Sequence, residues 1–167
     1  MTNLICISFQ IMLNGIGITR FASGEFEEAL TEFEDSLALW QDLEVSSGVT
    51  GALNNIGTTY FALNELDNAL DAFEEALELH RTHLVESFGP RSSYKQTSYE
   101  LKDALKGVSD TLYHIAYVYN AKRSTAAAKF YLEEALRIQK TLDHAKEVKH
   151  ITNILSMCES ASDTLEV

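Results

Sequence analysis

The sequence predicts an all-α protein, a right-handed superhelical α-solenoid of antiparallel helix hairpins with about seven helices. Three observations favour this class. Apolar residues recur with the period of a helix, and their pattern repeats after about 40 residues. The 167 residues include only 8 glycines and one proline, Pro90, whereas folds rich in strands and turns use more of both. With 46% hydrophobic residues, a single domain spanning 1–167 can bury a core.

Small and apolar residues in 12–39 recur at the same spacing in 52–79. The matching pairs are Leu13/Leu53, Ile16/Ile56, Gly17/Gly57, Ala29/Ala69, Leu30/Leu70, Phe33/Phe73, Leu37/Leu77 and Leu39/Leu79. A period of this length indicates a helical repeat. We expect repeats over about 10–43, 50–88 and 99–141, followed by a partial repeat or capping helix over about 145–160.

Each repeat is expected to be a helix hairpin. In the second, apolar residues with helical spacing stop near Asn64 and then resume. Asn64 and its counterpart Gly24 tolerate a left-handed backbone, which suits a chain reversal. Gly57 and Ala69 are small enough for the two helices to approach closely, with Phe73 filling the space beyond them. Their equivalents 40 residues earlier are predicted to pack in the same way.

About nineteen extra residues separate the second repeat from the third, in a region of about 80–107. We expect a helix that continues to about Phe88, a polar loop from Gly89 to Thr97, and a helix that begins near Tyr99. The lengthened helices could simply project past the edge of the solenoid, since added surface length costs little entropy. Alternatively, the loop could form a lip that contacts a partner.

The segments "LNNIGTTY" and "ALDAFEEAL" resemble the two helices of the tetratricopeptide repeat. The chain departs from that pattern at Arg20, where an aromatic residue is expected, at Ser36, where alanine is expected, and at Thr125 and Lys129. The doubled asparagine of "ALNNIG", the forty-residue period and the later "FGP" resemble the kinesin-light-chain subclass. This resemblance implies a protein-interaction scaffold.

The charge distribution argues against nucleic-acid binding. Residues 1–79 hold 14 acidic side chains and one basic one, Arg20, while the rest of the chain is nearly balanced. Such a surface repels phosphates. No apolar run is long enough to cross a membrane. The segment "MTNLICISFQIML" could be read as a signal peptide, but it lacks a basic start. Cys6 and Cys158 form no metal or disulfide motif, so we expect a reducing, cytoplasmic location.

No arrangement of residues predicts catalysis, a cofactor or a metal. His80 and His83 lie three apart, but no third ligand is positioned near them. His114 has no nucleophile beside it in the sequence. Carboxylate runs such as "GEFEEALTEFED" alternate with the buried face and are typical of a solvated outer face. We therefore expect a protein that is not an enzyme.

The concave surface of a stack of hairpins is lined by the first helix of each repeat. The residues expected to line it are Asn14, Ile18, Phe21, Asn54, Asn55, Thr58, Phe61, Tyr113, His114, Tyr117, Asn120, Asn153 and Ser156. Amides and tyrosines suit an extended peptide backbone.

The family resemblance implies that an asparagine in the place of Asn55 holds peptide backbone, and Asn153 matches it. Gly15 and His114 interrupt this row, and Lys149 is the one basic residue at comparable positions. A clamp for an acidic tail is therefore not expected. The groove asparagines could instead only cap neighbouring helices.

Two functions remain open at this point. The first is a non-catalytic scaffold that binds a protein or peptide segment in the groove. The second is a structural or assembly module that self-associates or packs in a larger array through its apolar N-terminal end, "LICISFQIM". A sensor for a small molecule or a peptide signal is a third reading, which the groove alone supports.

Overall fold

The computed structural model describes residues 2–89 and 97–163, with side chains for 8–89 and 97–158. This part of the chain forms seven α-helices and no strand. The helices are α1 (Thr2–Ser23), α2 (Phe26–Asp42), α3 (Ser46–Ala62), α4 (Leu66–Phe88), α5 (Ser98–Ala121), α6 (Thr125–Leu142) and α7 (Ala145–Asp163). The predicted all-α class with seven helices is confirmed.

The chain divides into two compact units, Met1–Leu79 (unit 1) and His80–Val167 (unit 2). The boundary lies within α4, which contributes residues to both units. In unit 1, α2 packs against α1 and α3. In unit 2, α6 packs against α5 and α7. The single domain expected from the sequence stays a prediction.

Close helix contacts in unit 1 lie where the sequence places its glycines. A Cβ added to Gly17 would lie 2.6 Å from Cε1 of Phe33, and one added to Gly57 would lie 2.7 Å from Cε1 of Phe73. Both phenylalanines are only 2% exposed. Ala29, at the second small position, is fully buried beside Phe33. The two hairpins of unit 1 therefore use the same ring-against-glycine packing, as predicted.

The hairpin turns use a left-handed residue after the first helix of a pair. Gly24 has φ 82° and Asn64 has φ 61°, as expected for these two positions. Beyond Asn64, the N–H of Glu65 donates to the carbonyl of Tyr60 at 2.8 Å, which satisfies a carbonyl of the last helical turn. Three further residues have the same left-handed conformation, although the sequence analysis does not predict it for them. They are Glu44 (φ 55°), Arg123 (φ 59°) and Asp143 (φ 61°).

The core of unit 2 combines apolar packing with a buried polar chain. Leu112 and Ile115 of α5 are fully buried. Beside them, Gln139 of α6 donates to Oγ of Ser109 at 2.9 Å, and its Oε1 lies 2.8 Å from Nδ1 of His144. These bonds satisfy polar groups that would otherwise be costly to bury. They also tie α5 to α6 and to the start of α7.

The ends of the insertion agree with the sequence. α4 continues to Phe88, and α5 begins at Ser98. Thr97 and Glu100 form a capping box, in which the N–H of Glu100 donates to Oγ1 of Thr97 at 3.3 Å and the N–H of Thr97 donates to Oε2 of Glu100 at 2.7 Å. Residues 90–96 lie outside the described part of the chain. Both readings of the inserted loop therefore stay predictions.

One matching pair of the repeat differs in burial. Ile56 is 5% exposed, but its counterpart Ile16 is 36% exposed. The cause is a difference in neighbours. Ile56 packs in a cluster with Ala29 and Phe33 of α2, the helix before its own hairpin. Among the described residues, no helix precedes α1 to cover Ile16.

Candidate functional site

An aromatic cluster lies between α5 and α7 in unit 2. It consists of Tyr113, His114, Tyr117 and His150, and we call it the Tyr113 cluster. The hydroxyl of Tyr113 lies 3.1 Å from Nε2 of His150, at hydrogen-bonding distance. The rings of Tyr113 and Tyr117 stack with centroids 6.4 Å apart, and the ring of His114 meets Tyr113 edge-on at 6.3 Å. Three of these four residues were predicted from the sequence.

Helical spacing explains how α5 brings its side chains together. Tyr113, Tyr117 and Asn120 are four and three residues apart, so they form one stripe along the helix. This stripe runs beside the buried pair Ile115 and Ala116, which anchors α5 in the core. The core packing of α5 therefore fixes which way the stripe faces.

An open cavity of about 330 Å³ lies next to this cluster. Its lining residues are Tyr113, Ala116, Tyr117, Asn120, Thr125, Leu132, Ile154, Met157 and Cys158. Ala116, Leu132 and Cys158 are at most 8% exposed, whereas Tyr117 is 54% and Met157 68% exposed. The cavity thus has an apolar floor and an accessible rim with a tyrosine and an amide. Such a site can take an apolar side chain while its rim bonds to polar groups.

A second cavity, of about 360 Å³, also has Tyr113 in its lining and is bordered mainly by polar and charged residues. Its lining residues are Ser109, Asp110, Tyr113, Gln139, Lys146, Glu147, His150 and Ile151. Positive and negative side chains both border it, so it does not favour a ligand of one charge. Tyr113 borders both cavities.

Two members of the cluster, Tyr113 and His114, have shifted pKa values that keep them neutral at neutral pH. Burial, and to a smaller extent Tyr117, raise the pKa of Tyr113 above its ordinary value. Burial lowers the pKa of His114 below its ordinary value, against the opposing effect of Asp110. The phenol therefore keeps its proton and the imidazole stays uncharged. The lining of the first cavity likewise contains no charged side chain, so a ligand there would be recognised by shape and hydrogen bonds more than by ion pairing.

In unit 1, the predicted asparagines contact each other. Nδ2 of Asn55 on α3 donates to Oδ1 of Asn14 on α1 at 2.8 Å. Asn54 is half-buried beside them, and its carbonyl accepts from the hydroxyl of Thr58 at 2.7 Å. The side-chain amide of Asn55 therefore already has a partner within the protein. The bond links two helices, as in the alternative in which these asparagines serve the fold, but it does not cap a helix end.

The remaining predicted residues differ in accessibility. Ile18 is 51% exposed, and Phe61 is half-buried. The ring of Phe21 meets Phe26 edge-on at 5.2 Å and packs against the core cluster around Phe33, so it serves packing as much as any surface. In unit 2, the exposed residues are Asn120, Asn153 and Ser156. The described lining of the apolar cavity does not include His114, Asn153 or Ser156.

The sequence reasoning missed the α7 side of this surface. His150, Ile154 and Met157 lie four and three residues apart and form a helical stripe that meets the α5 stripe. The register of the earlier repeats, applied to α7, predicts Asn153 and Ser156 instead. The spacing of His150, Ile154 and Met157 was a signal in the sequence that could have identified this face.

Neither a metal-binding cluster nor a membrane-spanning helix is found among the residues that the structure describes. In these residues, no group of three histidine, cysteine or carboxylate side chains is placed to hold a metal ion. None of the described helices combines the length and the apolar composition that a membrane crossing requires. Cys158 is buried, and the side chain of Cys6 lies outside the described part.

Comparison with known proteins gives a consistent result. A family model described as tetratricopeptide repeat matches residues 8–82, and a second with the same description matches residues 109–142. Together they cover more than half of the chain. Among curated proteins, none matches this sequence significantly.

Two solved structures are similar in fold. BtubC (BKLC) from P. vanneervenii superposes with a TM-score of 0.71 over 90% of this chain, at 19% sequence identity. The N-terminal domain of stress-induced protein-1 (STI-1) from C. elegans gives 0.57 over 88% of this chain and 97% of that domain, at 15% identity. The chain spans 54% of the length of BtubC. These matches confirm the helical-repeat fold class, and the first supports the kinesin-light-chain-like resemblance at the level of fold.

Proposed function

Because the chain belongs to the tetratricopeptide-repeat family, a family of generally non-catalytic protein-interaction scaffolds, we propose that it binds an extended segment of another protein. We further propose that this protein is not an enzyme and that it works in the cytoplasm. The single observation that carries the proposal is the open apolar cavity of unit 2, with Tyr117 and Asn120 at its rim.

The chemistry of the cavity suggests how such a segment would bind. Its volume of about 330 Å³ and its floor of Ala116 and Leu132 suit one or two apolar side chains. The amide of Asn120 can donate to and accept from a peptide backbone, and the exposed ring of Tyr117 offers contact area at little entropic cost. An apolar anchor flanked by backbone hydrogen bonds is a common mode of peptide recognition.

In unit 1, the predicted site residues have a smaller part in this proposal. Asn14 and Asn55 are bonded to each other, so a peptide would have to compete for their amides. Ile18 is accessible and could extend the contact of a bound segment. We therefore rank Tyr117 and Asn120 above the asparagines of unit 1 as binding residues.

The experiment selects peptides from a random peptide library displayed on phage, using the full chain as bait, and measures the selected peptides by fluorescence anisotropy. Tyr117→Ala and Asn120→Ala should each weaken binding by roughly tenfold, the effect of losing one important contact. Tyr99→Ala is the matched control, because Tyr99 lies on the same helix and is 77% exposed outside the cavity. Equal weakening by Tyr99→Ala, or full affinity after Tyr117→Ala, would count against the proposal.

The second candidate function is assembly through the N-terminal end, including self-association. The observation in its favour is the set of exposed apolar side chains on α1, among them Phe9, Ile11 and Met12. Sedimentation velocity over a hundredfold range of concentration tests self-association. A monomer throughout would exclude self-association in that range.

A further inference from the structure

The two cavities of unit 2 follow each other along the groove between α5 and α7. The second cavity is lined by residues within 109–113 of α5 and 146–151 of α7. The first is lined by residues within 113–120 of α5 and 154–158 of α7. The earlier part of both helices therefore borders the second cavity, and the later part borders the first. Because α5 and α7 run in the same direction, a segment that lies along the groove between them passes both cavities in turn.

The distance between the cavities follows from their linings. The lining residues of the two cavities are centred about six positions apart on α5 and about eight positions apart on α7. A helix rises by about 1.5 Å per residue, so the cavities lie about 9–12 Å apart along the groove.

This distance selects one conformation for an extended ligand. Three residues of a polyproline II helix span about 9 Å, and its turn of about three residues returns the side chain to the same face. In a β-strand, the side chain three positions away points to the opposite face, and one four positions away lies about 13 Å along the chain. A polyproline II segment therefore matches both cavities with side chains three positions apart.

The surface beside the cavities also suits a polyproline II segment. The hydroxyl of Tyr113 lies 3.1 Å from Nε2 of His150, so two rings meet between α5 and α7. The ring of Tyr117 stacks on that of Tyr113 with centroids 6.4 Å apart, and both Tyr117 and His150 are exposed. Segments in this conformation bind to grooves lined by aromatic rings, because they lose little conformational entropy on binding.

The charges around the second cavity are balanced. Asp110 accepts a hydrogen bond from Nζ of Lys106 at 2.6 Å. This bond raises the pKa of Lys106, so the ammonium stays charged and compensates the carboxylate. The other two ionic side chains in the lining are Lys146 and Glu147, which have opposite charges and are both exposed. The accessible part of this cavity therefore offers a donor and an acceptor in equal number.

A neutral amide fits this lining better than a charged side chain. An amide can accept a hydrogen bond from Lys146 and donate one to Glu147. A ligand carboxylate would be repelled by Glu147, and a ligand ammonium by Lys146. The buried Ser109 and Gln139 are already bonded to each other at 2.9 Å, so the exposed pair is the available one.

On the basis of the proposed function, we propose further that the bound segment is a polyproline II stretch with two recognised residues. One is the apolar residue in the first cavity. The other, three positions away along the segment, is a glutamine or an asparagine in the second cavity. The two residues between them lie against the rings of Tyr113 and His150, where proline is favoured because it holds this conformation.

The first test uses peptides selected on the full chain whose binding depends on Tyr117. Aligned on their apolar residue, they should carry an amide residue three positions away on one side. In fluorescence anisotropy, alanine in place of this amide should weaken binding about fivefold, the effect of one or two hydrogen bonds at an accessible site. Glutamate or lysine at the same place should weaken it at least as much. Moving the amide to a spacing of two or four should have the effect of removing it.

The second test changes the protein. The double variant Lys146→Ala/Glu147→Ala should weaken binding of the amide peptide about fivefold and leave the alanine peptide unaffected. Lys149→Ala is the matched control, because Lys149 is an exposed residue of the same helix outside both linings, and this variant should bind both peptides normally. All three substituted residues are exposed, so circular dichroism should show unchanged helical content.

Several results would overturn the proposal. One is a set of Tyr117-dependent peptides without an amide at a spacing of three, and another is tighter binding with glutamate or lysine there. A preferred spacing of seven would indicate a helical ligand, since seven helical residues span about 10 Å. Equal losses for both peptides in Lys146→Ala/Glu147→Ala would also contradict it. In each case the proposed function stands, whereas peptides that bind independently of Tyr117 would contradict both.

Discussion

Gly57 tests whether the close approach of α3 and α4 depends on a missing side chain. In Gly57→Ala, the new Cβ would lie 2.7, 2.9 and 2.9 Å from three ring carbons of Phe73. That ring is 2% exposed, so its neighbours restrict any movement away. Overpacking a core typically costs about 1–3 kcal/mol, and three contacts of this length favour the upper part of that range. Alanine in place of glycine in a helix recovers about 1 kcal/mol. The net expectation is a loss of about 1–2 kcal/mol.

Gly51→Ala is the matched control. Gly51 lies in the same helix, and a Cβ there meets nothing within 4 Å, so this variant should gain about 1 kcal/mol. Because the helix-propensity gain is common to both variants, their difference isolates the overpacking term of about 2–3 kcal/mol. Thermal unfolding followed by circular dichroism should separate the two midpoints by several degrees. The reasoning is refuted if Gly57→Ala is stabilised as much as Gly51→Ala. In a Phe73→Leu background, Gly57→Ala should lose most of its penalty.

Three further predictions concern stability. Ser36→Ala should stabilise by about 1 kcal/mol in urea unfolding, because the buried Ser36 hydroxyl has no hydrogen-bond partner among the described residues. Ser109→Ala should instead destabilise, since its hydroxyl accepts from the buried amide of Gln139. Glu44→Gly should stabilise by about 1 kcal/mol, because Glu44 has φ 55°, and an unchanged urea midpoint would contradict this. Burial lowers the pKa of His80 and of His114, so their contribution to stability is complete above about pH 6.5 and is lost as the pH falls through the lowered folded pKa. The urea midpoint should therefore decrease as the pH is lowered from about 7.5 to about 5. Replacing both histidines by glutamine should make the midpoint less dependent on pH.

Much of the fold could be predicted because the packing of the first hairpin is repeated in the second. A glycine opposite a buried phenylalanine, as at Gly17 and Phe33, has a spacing that a sequence displays directly. The turn at Asn64 could also be anticipated, since asparagine tolerates a left-handed backbone. These features depend on residue types at fixed intervals within one hairpin.

The features that were missed depend on something other than residue type. Arg123 has φ 59° because the hairpin closes there, although arginine has no preference for that conformation. Ile16 is exposed although its repeat counterpart Ile56 is buried against α2, so the burial of one residue type at one repeat position depends on its neighbours. The contact of Tyr113 with His150 depends on how α5 and α7 are rotated relative to each other. Such rotations follow from the combined packing of several helices. The periodicity of apolar residues within one helix gives no information about that packing.

The two units reuse one repeat position for the same kind of contact with different chemistry. Asn14 in the first repeat and Tyr113 in the third occupy matching places in their first helices. In unit 1, Asn14 accepts a hydrogen bond from Asn55 on the next first helix at 2.8 Å. In unit 2, the hydroxyl of Tyr113 lies 3.1 Å from His150, also on the next first helix. At both places the side chain joins neighbouring first helices and has used part of its hydrogen-bonding capacity.

The residues that lie one helical turn after Asn14 and Tyr113 are exposed. Tyr117 is 54% exposed and Ile18 is 51% exposed, although each follows its linking residue by four positions. The linking position therefore fixes the spacing of the first helices, and the position after it is accessible to a partner. This division of roles explains why substitution of Tyr117 should report on binding, whereas substitution of Tyr113 would first disturb the helix pair that supports the cavity. If the proposed function is correct, substitutions at such accessible residues would change ligand preference without removing the contacts between neighbouring first helices within a unit.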